Sequence, residues 1–145
     1  MSSQLTRYGD WQSRLTAYLL HAERVPFRYG VQDCGLFVAG AILAMTGVDT
    51  VAELRGYTNR TQAFQRIADV CGQPTMEAAA VYLAKLHGLP EVPVLCAQRG
   101  DAVMLRGGRR SSLGIVAMHG TEILTPYRAG LLRLPLSHAR RAWHI

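Results

Sequence analysis

Lysine is nearly absent from this chain, so its positive charge comes almost wholly from arginine. Of 145 residues, 16 are lysine or arginine and 10 are acidic, which leaves a formal charge of +6, and Lys85 is the single lysine. No aromatic residues interleave with the arginines, so a nucleic-acid groove is weakly supported. Arginine is favoured at protein interfaces. Two clusters supply the candidate partner-binding residues: Arg106, Arg109, Arg110, Arg140 and Arg141.

Cysteine is scarce, with an odd total of three and no C-x-x-C pair. Neither a disulfide framework nor a zinc site is indicated, and reduced thiols fit a protein made in the cytosol. The sequence also lacks the H-E-x-x-H, G-x-x-x-x-G-K and G-x-S-x-G motifs. We therefore expect no metal and no cofactor.

Long apolar runs are missing too. None approaches the roughly 20 residues that a membrane-spanning helix needs, and residues 1–9 lack the apolar core of an export signal. We expect a protein without a membrane span that is not exported by a standard signal. The length and the 49% hydrophobic content predict one folded domain over residues 1–145.

One stretch stands out among the residues that are present. Between Cys34 and Thr46 the chain is almost wholly apolar, which predicts a buried helix that Asp33 caps and Gly47 ends. Cys34 then lies at the helix N-terminus, where the dipole favours the thiolate while the Asp33 carboxylate opposes it. Cys34 is thus either a nucleophile or a small core residue. The choice depends on whether a base can reach the thiol.

The remaining patterns predict helices before strands. An apolar stripe predicts a helix from Asp10 to near Arg24, and Thr61 and Thr75 are candidate caps of two more helices. A rigid connector at residues 89–93 precedes predicted strands at 101–105, 113–118, 121–125 and 131–134, and a short helix is predicted at 137–141. Segregated order of this kind indicates an α+β fold, helical over about residues 10–88 and antiparallel sheet over about 94–145.

Several motifs resemble those of known proteins. Tyr29-Gly30-x-x-Asp33-Cys34, Gly100-Asp101 and Ser112-Leu113-Gly114-Ile115-Val116 are similar, in this order, to motifs of the NlpC-type, papain-like cell-wall peptidases. The chain more closely resembles a family of small phage-encoded proteins, of unassigned function, that are related to these peptidases and encoded among tail genes. That likeness also includes Thr46-Gly47, Gly130-Leu131 and Arg141-Ala142-Trp143.

The resemblance implies a papain-like fold in which the central helix packs on the sheet with Cys34 at its rim. It also implies other phage tail-tip or baseplate proteins as partners, and peptidoglycan as a further candidate. Such a protein is made in the host cytoplasm and ends in the virion tail.

Thiol catalysis needs an imidazole base and a group that orients it. By the resemblance these two positions are Ser112 and Leu124, neither of which can serve. His119 lies about 20 Å along the strand from Ser112, so we interpret it as a turn residue. We therefore expect a catalytically degenerate domain that serves as a structural or assembly component of a phage tail tip. The alternative is an active thiol hydrolase that cleaves peptidoglycan stem peptides with Cys34 as nucleophile and a histidine from elsewhere.

Overall fold

The computed structural model describes residues 4–107 and 112–145. It has the predicted α+β class, with the helices first and an antiparallel sheet after them. The helices are α1 (Trp11–Ala22), α2 (Cys34–Thr46), α3 (Arg60–Cys71) and α4 (Met76–Leu86). Single 3-10 turns lie at Ala52–Leu54, Val94–Cys96 and Leu136–His138. No helix in the described ranges is long and apolar enough to cross a membrane.

Helix α2 has the predicted ends. The Asp33 carboxylate accepts a hydrogen bond from the Leu36 amide at 2.9 Å, and Gly47 ends the helix in the left-handed region at φ 78°. Most of the helix is buried between α1 and the sheet, with Phe37, Ala41 and Met45 fully enclosed. The burial is incomplete on one side, since Leu43 is 42% exposed.

Of the two N-caps predicted for α3 and α4, one is confirmed and the other is wrong. Thr75 caps α4 by accepting from the Ala78 amide at 3.0 Å, as predicted. The prediction of Thr61 as the cap of α3 was wrong, because the helix begins two residues earlier and Asn59 accepts from the Gln62 amide at 2.9 Å. Asparagine is a stronger N-cap than threonine, so Thr61 lies inside the first turn.

Within the described ranges, six strands form one antiparallel sheet in the order β1-β6-β2-β3-β4-β5, where β1 is Glu91–Val92 and β6 is Ala139–Trp143. The four that follow one another in the chain are β2 (Ala102–Leu105), β3 (Leu113–Val116), β4 (Glu122–Tyr127) and β5 (Gly130–Pro135). They match the four predicted strands, with ends shifted by a few residues. Strand β3 is buried on both faces, because α2 covers one face and a second apolar cluster covers the other.

The two remaining strands correct the sequence analysis. The predicted connector at 89–93 contains β1 (Glu91–Val92), and the predicted helix at 137–141 is largely β6 (Ala139–Trp143). Strand β6 inserts between β1 and β2, with Ala142 fully buried. The helical prediction failed because two paired neighbours supply backbone hydrogen bonds that local sequence cannot reveal.

Candidate functional site

Asp33 is held in its capping position by three donors. Its carboxylate accepts from the Leu36 amide at 2.9 Å, from the Gly30 amide at 3.1 Å and from the Tyr57 hydroxyl. The residue is only 4% exposed. A carboxylate satisfied in this way stabilises the loop before α2 and is poorly placed to take a proton from Cys34.

Cys34 is half-buried at the first position of α2. Burial raises the pKa of its thiol to about 11, and the adjacent Asp33 charge adds to the increase. Backbone N–H groups of Leu113 and of the first helical turn act in the opposite direction, as expected at a helix N-terminus, but burial outweighs them. The thiol is therefore protonated at neutral pH.

The two positions that the resemblance assigns to catalytic partners lie in different surroundings. Ser112 is half-buried and lines the same cavity as Cys34. Leu124 is 3% exposed, pairs with Ile115 across β3 and β4, and belongs to the core cluster against which Cys34 also packs. An aliphatic side chain in an apolar cluster neither holds a proton nor orients a base.

The five histidines do not line the cavity at Cys34. His119 lies in the turn between β3 and β4, where it contacts Thr121 at 2.9 Å and Glu122 at 3.0 Å. The His144 ring lies 3.0 Å from Asp101, whose carbonyl accepts a hydrogen bond from Val116 at the last position of β3. Cys34 lies at the other end of that strand, beside the Leu113 amide. No cluster of three or more histidine, cysteine or acidic side chains suited to a metal ion occurs within 4–107 and 112–145.

A cavity of about 220 Å³ extends from Cys34 between α2, α3, α4 and the sheet. Its walls are mainly aliphatic and aromatic, and they include Leu36, Leu83 and Phe64. The cavity walls also include a few polar residues. Among these are the exposed Arg60 and the side chains of Asp33, Cys34, Tyr57 and Ser112. Such an arrangement suits the binding of an apolar group better than it suits acyl transfer.

Residues 6–145 match the family described as a domain of unknown function, DUF6950. The chain belongs to this family. A comparison with curated proteins finds no match. The family description assigns no activity, so any function of this member has to be argued from its own residues.

The candidate partner-binding arginines of this family member fall into three groups. Arg140 and Arg141 pair with acidic residues of the same chain: both contact Glu77, and Arg141 also contacts Glu91 at 2.6 Å. Arg106 is exposed after β2 and appears in no ion pair within the described ranges. Arg109 and Arg110 lie outside the described residues.

Two residues of the site carried no signal that sequence reasoning could use. Tyr57 lies 24 positions from the Asp33 carboxylate to which it donates, in a segment without regular apolar spacing. Arg60 is one arginine among 15, and only the packing of α3 places it at the cavity. Both were missed because tertiary contacts alone bring them to α2.

Proposed function

We propose that this protein is a catalytically inactive, papain-like domain that serves as a structural or assembly component of a phage tail tip. The proposed lack of catalytic activity is supported by the environment of Cys34. Its thiol has a pKa raised to about 11, no histidine lines its cavity, and Asp33 is occupied by three hydrogen bonds. A thiolate nucleophile with a relaying imidazole is what such a hydrolase requires.

The assembly part of the proposal is supported by the order of the sequence motifs and by the charge of the chain. A fold can lose its chemistry and keep its surfaces for binding. Arg106 has no acidic partner in the described part of the chain, and Arg109 and Arg110 follow it closely in sequence. Arg140 and Arg141 are already engaged with Glu77 and Glu91, so the arginine-rich segment that follows β2 in sequence is the stronger candidate contact.

Two assays on the purified full chain test these parts separately. Incubation with peptidoglycan sacculi, followed by mass spectrometry of released stem peptides, should show no release by the wild type or by Cys34→Ser. If the wild type releases stem peptides and Cys34→Ser does not, the protein is an active thiol hydrolase with Cys34 as nucleophile. The proposal of a catalytically inactive domain would then be refuted.

The second assay measures binding to tail-tip proteins encoded in the same genome, by co-purification and light scattering. A stable complex is expected, and the triple variant Arg106→Gln, Arg109→Gln, Arg110→Gln should weaken it more than the control variant Arg24→Gln, Arg28→Gln, Arg128→Gln. Failure to associate with any of these proteins would refute the assembly role. Equal effects of the two variants would show that the arginine-rich segment after β2 is not part of the interface.

A further inference from the structure

The cavity beside Cys34 is large enough for a ligand, and its mainly apolar walls offer few hydrogen-bonding partners to water. At about 220 Å³ it exceeds the roughly 150 Å³ of an apolar cavity known to stay dry and to bind benzene. Its walls include side chains from two apolar clusters, among them Val51, Ile67, Ala79 and Leu113. Filling this space with hydrocarbon would restore contacts that an empty cavity lacks.

The charge at the cavity is equally informative. Arg60, the first residue of α3, is the one basic residue among the described residues that line it. Its guanidinium lies 4.7 Å from the centre of the Phe64 ring, and it makes no ion pair within the described ranges. Asp33, the acidic residue of the lining, is already hydrogen-bonded by three donors. A negative head group would therefore find an unpaired cation at Arg60.

We propose that the cavity binds one fatty acid, with its alkyl chain between α2, α3 and α4 and its carboxylate at Arg60. A peptide fits less well, because its amides would be buried against walls that offer few free hydrogen-bonding groups. A single chain with one anionic end satisfies both the apolar walls and the arginine. The proposal needs no catalysis and does not depend on the tail-tip role.

Calorimetry and native mass spectrometry with laurate, below its micelle-forming concentration, test the proposal on the full chain. Saturable binding of one laurate per chain is expected, with weaker binding of dodecanol. Arg60→Gln should reduce laurate affinity about two- to fivefold, the range of an exposed ion pair, and leave dodecanol affinity unchanged. The control Arg66→Gln, on the same helix but outside the cavity lining, should change neither.

A second pair of variants tests where the chain lies. Ala80→Leu adds bulk to the cavity wall, whereas Ala78→Leu adds the same bulk on the same helix outside that lining. Ala80→Leu should lower laurate affinity at least about tenfold, and Ala78→Leu should not. Bound laurate should also shield Cys34 from alkylation in the unaltered cavity, a readout that does not depend on how well Ala80→Leu folds.

Three results would overturn the proposal as a whole, and a fourth would refute its head-group assignment alone. One is the absence of saturable laurate binding. Another is equal affinity of the Ala80→Leu and Ala78→Leu proteins together with unshielded Cys34. The third is binding to phosphatidylglycerol vesicles without binding of free laurate, which would indicate a membrane surface instead of a single chain. An Arg60→Gln protein that binds laurate as well as the wild type would refute the head-group assignment.

Discussion

At the scale of single residues, Cys34 shows how burial can reverse what position favours. The N-terminus of α2 presents amide hydrogens to the thiol, yet burial raises its pKa to about 11. The folded-state value is therefore above that of an unfolded cysteine, about 8.5. The higher pKa of Cys34 in the folded state therefore adds to the free energy of unfolding. This contribution is complete below the unfolded pKa of about 8.5 and is lost as the pH rises towards 11.

Alkylation of Cys34 should be slow near neutrality and should accelerate with pH. In a Cys71→Ser, Cys96→Ser protein, the thiolate fraction at pH 8.5 should be roughly a hundredfold below that of a free thiol, because the proton is held more tightly. Iodoacetamide rates measured from about pH 6 to about pH 10 should rise without a plateau, because the thiolate fraction keeps increasing below a pKa of about 11. Addition of Cys34→Ser provides the blank, and a plateau below about pH 8 would contradict the raised pKa.

At the scale of elements, the contact between α1 and α2 depends on a glycine. Tyr18 of α1 donates a hydrogen bond to the Phe37 carbonyl at 2.8 Å and stacks on the Phe37 ring with centroids 5.8 Å apart. A β-carbon at Gly40 would lie 2.2 Å from the Tyr18 hydroxyl oxygen. Gly40 therefore lets the two helices approach closely enough for this hydrogen bond.

Gly40→Ala should destabilise the protein although alanine is the better helix former. Forcing Tyr18 away from Phe37 should cost about 1 to 3 kcal/mol, the usual range for overpacking. Gly35→Ala in the same helix is the matched control, since its β-carbon would meet Met76 at 3.5 Å, an ordinary contact, and should gain up to about 1 kcal/mol. Urea unfolding measures both. A stabilised Gly40→Ala protein would disprove the close approach.

At the scale of the whole molecule, Asp101 connects both ends of the described chain. Its carboxylate, 1% exposed, contacts Arg7 at 3.2 Å and the His144 ring at 3.0 Å, and it accepts from the Ile145 amide at 3.2 Å. Arg7 also donates to the Ile145 carbonyl at 2.8 Å. Burial lowers the pKa of Arg7, and the Asp101 charge opposes that decrease. The segment before α1 and the end of the chain after β6 are thus held together at one carboxylate.

Asp101→Ala should destabilise the fold by about 3 to 5 kcal/mol, because it leaves the largely buried Arg7 without its counter-charge. Asp49→Ala is the control. It removes a more exposed pair with Arg55, so a loss of about 1 kcal/mol is expected. Thermal and urea unfolding of the two proteins measure the difference. Equal losses would show that burial adds nothing to the Asp101 contacts.

Much of the fold could be predicted because its signals are local. Asp33 and Gly47 mark the ends of α2 by capping and left-handed geometry, and Thr75 marks the start of α4. The hairpin of β3 and β4 follows from two apolar runs around a short turn. The α+β class follows from the order of these elements.

What sequence alone determined is therefore the order of the helices, the ends of α2, the start of α4, the main strands, and the absence of a histidine from the position of Ser112. Tertiary structure decided the rest. It converted the predicted helix before Trp143 into β6, since neighbouring strands supply the backbone partners. It brought Tyr57 to Asp33 and Arg60 to the cavity. It also buried the Cys34 thiol, and burial acts on a pKa only through surroundings that the folded chain assembles.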